Sequence, residues 1–164
     1  SRRSGAPGFH RNYHEQLIKP KSFSFSRNGS VLLEGTKVLG VVLVNGSLNA
    51  EESAIGSLEV NGKVDLKNCL VNNTATINGS LSGDNTKFQK ELSVASQKIT
   101  LRTCSVDSLI VREVSGYDGI QVIDLRSGTK ITGHVVVESG NGEIWLSSNS
   151  KISDQVSGAK VVRK

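Results

Sequence analysis

A five-residue phrase returns along this chain at an interval that few folds can use. Val44-Asn45-Gly46-Ser47-Leu48, Val60-Asn61-Gly62-Lys63-Val64 and Ile77-Asn78-Gly79-Ser80-Leu81 all read apolar, Asn, Gly, polar, apolar, at spacings of 16 and 17 residues. Later echoes are Ile131-Thr132-Gly133-His134-Val135 and the degenerate Ile152-Ser153-Asp154-Gln155-Val156, 21 residues apart. A period of this length is too short for a pair of helices and suits one turn of a β-solenoid. Inside a repeat the apolar positions alternate, as in Leu58, Val60, Val64 and Leu66, and a turn former breaks the run every five or six residues. Three short strands and three corners per repeat would wind a triangular tube. Its coils would pair at about 4.8 Å, each inward Val, Ile or Leu stacking on its counterpart in the next coil.

Asn-Gly is also the strongest hairpin signal, so a hairpin-built sandwich is the rival fold. Its turns would recur every 8 to 12 residues or so, with no reason to repeat one phrase at the longer interval. Composition agrees with the tube. Among 164 residues there are 17 glycines, no methionine and only 4% aromatics, so the core must be aliphatic and thin. With 36% hydrophobic and 21% charged residues, the chain is neither a disordered polyelectrolyte nor a membrane bundle. The expected fold is therefore all-β, a parallel β-helix of roughly six or seven short coils with almost no helix. Asp84 to Glu91 interrupts the phrase and reads as a loop bulging from a corner. Ser115-Gly116-Tyr117-Asp118-Gly119 reads as a second one.

Charge and proline mark off the beginning of the chain. Residues 1–28 hold Arg2, Arg3, Arg11, Lys19, Lys21 and Arg27 against Glu15 alone, which accounts for the whole formal charge of +5. The other 136 residues balance at 14 basic and 14 acidic. Both prolines, Pro7 and Pro20, lie in the first segment, with Phe9, Tyr13, Phe23 and Phe25. These steps predict an arm over residues 1–28, flexible or capping, and a β-helix domain over 29–164. Arg2, Arg3, Phe9, Arg11, Tyr13, Lys19, Lys21, Phe23 and Phe25 form a candidate contact for an anionic membrane surface, each cation gaining about 1 kcal/mol there. The same set could serve a nucleic acid, which ranks behind the membrane. The simplest reading is that Phe23 and Phe25 fold back over one end of the core. No apolar run approaches the roughly 20 residues of a spanning helix.

The phrases at 44, 60 and 77, the proline-free aliphatic body and the basic arm before it together resemble the bactofilins, a polymer-forming cytoskeletal family of bacteria. The resemblance covers residues 30 to 164, with Asp154 standing where the pattern has glycine. It implies a right-handed β-helix that assembles end to end into filaments without a nucleotide and reaches the membrane through a short tail. It also implies a cytoplasmic location. Because the chain begins at Ser1, a leader ahead of it would redirect it to the periplasm or outside.

No catalytic signature accompanies the repeats, and nothing calls for a cofactor. His10 and His14 stand four apart as zinc ligands do on a helix, but Arg11 follows the first where a glutamate belongs, and no third ligand is evident. Cys69 and Cys104 are the only thiols. Two coils apart in a tube, they could not bridge, and they read as small buried core residues. Asn28, Asn45, Asn72 and Asn78 match the glycosylation pattern, which corner chemistry produces unaided. Polysaccharide-acting β-helix enzymes cluster carboxylates on one face. Here Glu59, Asp65, Asp107, Glu113, Asp124, Glu138 and Glu143 are scattered.

A tube leaves strand edges and core open at its ends, and such edges pair with another chain unless blocked. The sequence therefore predicts a non-enzymatic scaffold that self-associates through its terminal coils, with Val156, Val161 and Val162 at the assembly end. The alternative is a monomeric capped solenoid that holds a protein or glycan on a lateral face or on the 84–91 loop.

Overall fold

The computed structural model describes residues 12–16, 20–21 and 24–164, the first two segments as backbone only. Among the described residues there is no helix. The strands in order are Asn12–Gln16, Pro20–Lys21, Phe25–Glu34, Lys37–Glu51, Ala54–Lys67, Leu70–Val71, Ala75–Asp84, Lys87–Ala95, Lys98–Arg102, Ser105–Arg112, Gln121–Arg126, Lys130–Ile131, Val135–Val137, Gly142–Leu146, Lys151–Ile152, Val156–Ser157 and Ala159–Arg163. They pair in parallel, each with the segment one turn later, which makes a β-solenoid rather than a sandwich of hairpins.

One column climbs the whole tube. Tyr13 pairs with Val31, and the ladder continues through Leu48, Val64, Leu81, Ile99, Ile123 and Ile144 to Val161, about eight turns against the six or seven expected. A second ladder runs Val38, Ile55, Val71, Phe88, Val106, Ile131, Ile152. A third runs Phe25, Val42, Leu58, Ala75, Leu92, Leu109, Val135, Val156. The core is what these columns enclose. Leu58, Val64, Ile77, Leu92, Ile99 and Ile123 are all fully buried, each worth about 1.5–3 kcal/mol relative to exposure.

The corners explain why the phrase repeats. Asn28, Asn45, Asn61 and Asn78 stack in register. Each amide donates to the one a turn earlier: Asn45 to Asn28 at 3.1 Å, Asn61 to Asn45 at 2.9 Å and Asn78 to Asn61 at 2.7 Å. The following glycines stack too. Gly62 sits at φ 142°, a left-handed conformation that favours glycine. A Cβ there would also collide with the backbone oxygen of Gly46. At a second corner Glu52, Asn68, Asn85, Thr103 and Ser127 take φ between 47° and 56°. Their backbone N–H groups donate to the next coil, as Glu52 does to Lys67 O at 2.9 Å. That bond offsets a backbone cost of roughly 1–3 kcal/mol per residue.

Several expectations change. Asp84 to Glu91 is no loop: Asp84 ends one strand, Asn85 and Thr86 make an ordinary corner, and Lys87–Ala95 is the next strand, with Lys87 on Leu70 and Phe88 on Val71. Ile99 continues the Leu81 column, while the partner of Ile77 is Val94. The phrases at 131 and 152 do stack on each other, but at a different corner from the Asn-Gly phrase, since Ile131 continues the Val38 column. The strand Phe25–Glu34 runs through Asn28-Gly29 without a break, so the compositional step does not coincide with a structural one. Residues 115–119 do form a turn, between the strands ending at Arg112 and starting at Gln121.

Candidate assembly surface

The last described coil is built from Lys151–Ile152, Val156–Ser157 and Ala159–Arg163, each pairing on its inner side with the coil before. No described residue covers its outer side. Val161 therefore stands 42% exposed at the end of a column whose other members from Val31 to Ile144 are 3% exposed or less. Ile152 and Val156, which end the other two columns, are half-buried. Arg163 takes the register position above Leu146, so the column beside Val161 finishes in a charge.

Val162 belongs elsewhere. It pairs with Trp145, whose neighbours Ile144 and Leu146 point inward, so Val162 lies on the lateral face and not at the end. Strand alternation already carries this distinction, because Val161 and Val162 cannot share a side. Trp145 is its half-buried neighbour there. The indole Nε1 donates to Glu143 Oε1 at 2.8 Å, and the ammonium groups of Lys164 and Lys98 lie 4.5 and 5.2 Å from the ring centroid.

The arm residues divide three ways. Arg2, Arg3, Phe9, Arg11, Lys19 and Phe23 lie outside the described residues, as does His10. Tyr13, His14 and Lys21 are placed by their backbones in the first turn, Tyr13 at the register position before Val31 and Lys21 before Val38. Phe25 is corrected outright. It is 8% exposed, opens the Val42 column and carries the Arg27 guanidinium 4.8 Å from its ring centroid, so it is core and cannot also enter a membrane. An aromatic just before the first repeat phrase is compositionally part of the arm, and only its even spacing from Val31 and Leu33 betrays its strand parity.

The thiols take the places expected. Cys69 and Cys104 are buried and free, separated by the coil that holds Thr86. Both join a corner column of small hydroxyl-bearing residues, in which Cys69 N donates to Thr86 Oγ1 at 3.4 Å and Cys104 N to Thr129 Oγ1 at 3.1 Å. Burial raises both thiol pKa values, that of Cys104 to about 11. Such thiols are almost wholly protonated at neutral pH and are poor nucleophiles.

Two open lateral grooves accompany the corners. The larger, about 810 Å³, follows the Ser/Thr/Cys corner past Lys37, Lys87 and Lys130. The smaller, about 700 Å³, lies where the Asn column stops, between Asn78, Lys98 and Arg112. Neither brings paired carboxylates together, and among the described residues no three His, Cys, Asp or Glu side chains gather as a metal site. Among the same residues no helix is long and apolar enough to cross a membrane. No known protein family, curated protein or solved structure matches this chain.

Proposed function

We propose that this protein is a non-enzymatic structural scaffold that assembles end to end through its terminal coils, as the bactofilins it resembles do. The observation that carries this reading is Val161, an apolar core residue left 42% exposed where its column stops. Beside it the strands Lys151–Ile152, Val156–Ser157 and Ala159–Arg163 keep a free edge among the described residues. A second copy is the natural occupant, because the spacing and alternation of a coil are met by another coil of the same kind. Val161, Ile152 and Val156 together supply only a few kcal/mol on burial, less than association costs. Backbone pairing along three strand edges therefore has to contribute, and Arg163 confines the apolar contact to the columns beside it. The basic residues Arg2, Arg3, Arg11 and Lys19 fit a role as tether to an anionic membrane surface.

Negative-stain images of the full chain test this reading. One tube is about 40 Å long, so rods several times that length are expected. Val161→Arg together with Val156→Lys should abolish them without changing the far-ultraviolet circular dichroism. Wild-type protein that stays as single tubes at high concentration defeats the proposal.

A further inference from the structure

One lateral face of the tube is electrically divided along its length. On the sheet that carries the Val31 column, outward positions in the first four described rows are Ser30, Leu32 and Glu34, then Ser47, Asn49 and Glu51, then Lys63, Asp65 and Lys67, then Ser80, Ser82 and Asp84. Four of these are acidic and two basic. The next four rows hold Lys98, Thr100 and Arg102, then Val122, Asp124 and Arg126, then Glu143, Trp145 and Ser147, then Lys160, Val162 and Lys164. Here five are basic and two acidic. The face thus runs from net −2 in one half to net +3 in the other.

We infer that this face is the contact through which two copies pack side by side, antiparallel. A parallel pair would set the basic half on the basic half. Rotation by 180° about an axis lying along the strands, between the Leu81 and Ile99 rows, exchanges the halves and keeps the columns. Glu34 then faces Lys164 of the second copy, Asp84 faces Arg102, and Leu32 faces Val162. Ser82 and Thr100 lie at the axis, where short side chains let the two sheets approach. Asp65 and Asp124 oppose each other, each beside a cation: Lys63 Nζ is 3.9 Å from Asp65, and Arg126 Nη2 is 2.6 Å from Asp124. Eight rows at about 4.8 Å and five residues at about 3.3 Å make a face of roughly 600 Å², so a pair would bury about 1,200 Å², the lower bound of specific interfaces. A contact of this size that depends on exposed charges weakens with salt. It uses the side of the tube, and so it is independent of assembly through the ends.

Sedimentation equilibrium at low salt tests the inference, with Val161→Arg present throughout so that end stacking makes no contribution. The parent should form a dimer that dissociates as salt is raised. Glu34→Lys with Glu51→Lys should weaken it at least tenfold, and so should Lys160→Glu with Lys164→Glu. Mixed in equal amounts, these two variants should restore the dimer, because each then meets its opposite at both halves. If the acidic substitutions at 160 and 164 leave dimerisation intact, or the mixture fails to recover it, the inference is wrong. A parent that stays monomeric, even if a polyanion such as heparin binds its basic half, overturns it too. In images of protein without Val161→Arg, the charge variants should keep long rods and lose side-by-side pairs, so failure here is separable from failure of end-to-end assembly.

Discussion

Arg112 reaches over Ala95 to donate from Nη1 to Asn78 Oδ1 at 2.7 Å, two coils away. The register that carries asparagine through four turns has alanine in the next, and that missing side chain leaves the opening the guanidinium crosses. Arg112 also donates from Nε to Ser93 Oγ at 2.7 Å and from Nη2 to Ile77 O at 3.0 Å, so one side chain closes the open end of the amide column.

Arg112→Ala should therefore destabilise the protein by about 2–3 kcal/mol, since charged hydrogen bonds are lost and Asn78 Oδ1 loses its donor. Arg112→Lys should recover less than half of this, because an ammonium cannot span the same acceptors. Urea unfolding followed by Trp145 fluorescence measures both. Equal stability of the Ala variant and the wild type would mean that the column needs no closure.

Gly62→Ala should be among the most damaging single changes, costing several kcal/mol or preventing folding. The new methyl would both occupy a φ of 142° and strike the Gly46 backbone. Gly116→Ala supplies the contrast. Gly116 also has a positive φ, 79°, but nothing lies within 4 Å of the added carbon, so about 1–2 kcal/mol is expected. Thermal unfolding of the pair separates steric collision from backbone preference.

The buried thiols set a pH dependence. Cys104 has its pKa raised from 9.0 to about 11, so the folded state favours the neutral thiol. Its contribution is fully present below about pH 9 and is lost as pH rises through about 11, a change on the order of 2–3 kcal/mol. Cys104→Ser should flatten that part of the stability profile relative to wild type. Iodoacetamide should label neither cysteine in the folded protein at neutral pH and both in denaturant.

Phe25→Ala should cost about 3 kcal/mol through the cavity it leaves at the start of the Val42 column. The same substitution should leave binding to anionic vesicles unchanged once folded protein is compared. Weakened vesicle binding by folded Phe25→Ala would return this ring to the surface.

Much of this architecture is legible before any coordinates. Alternation gives the strand parity of Leu58, Val60, Val64 and Leu66, and the Asn-Gly spacing gives the coil length, because the same corner must recur once per turn. The corners themselves are harder to tell apart. Val44 to Leu48 and Val38 to Val42 both place four residues between successive inward positions, so Ile131 to Val135 matches the phrase while turning a different corner. The stretch from Asp84 to Glu91 hides its coil for another reason. Its inward positions are Gly83, without a side chain, the corner Thr86, and Phe88 as the lone apolar residue among outward charges. At the assembly end, parity alone would have moved Val162 to the lateral face. The divided charge of that face depends on which residues share a row, and this becomes visible only when insertions such as 113–120 are assigned to their coil.

The asparagine and glycine columns make neighbouring windings interchangeable. The turns through Asn45, Asn61 and Asn78 present the same amide, the same glycine and the same aliphatic positions to the turns on either side. A duplicated or deleted segment of about 17 residues would therefore find its contacts already in place and change the tube by about 4.8 Å. Length becomes a trait that recombination within the gene can adjust in fixed steps, leaving each terminus unaltered.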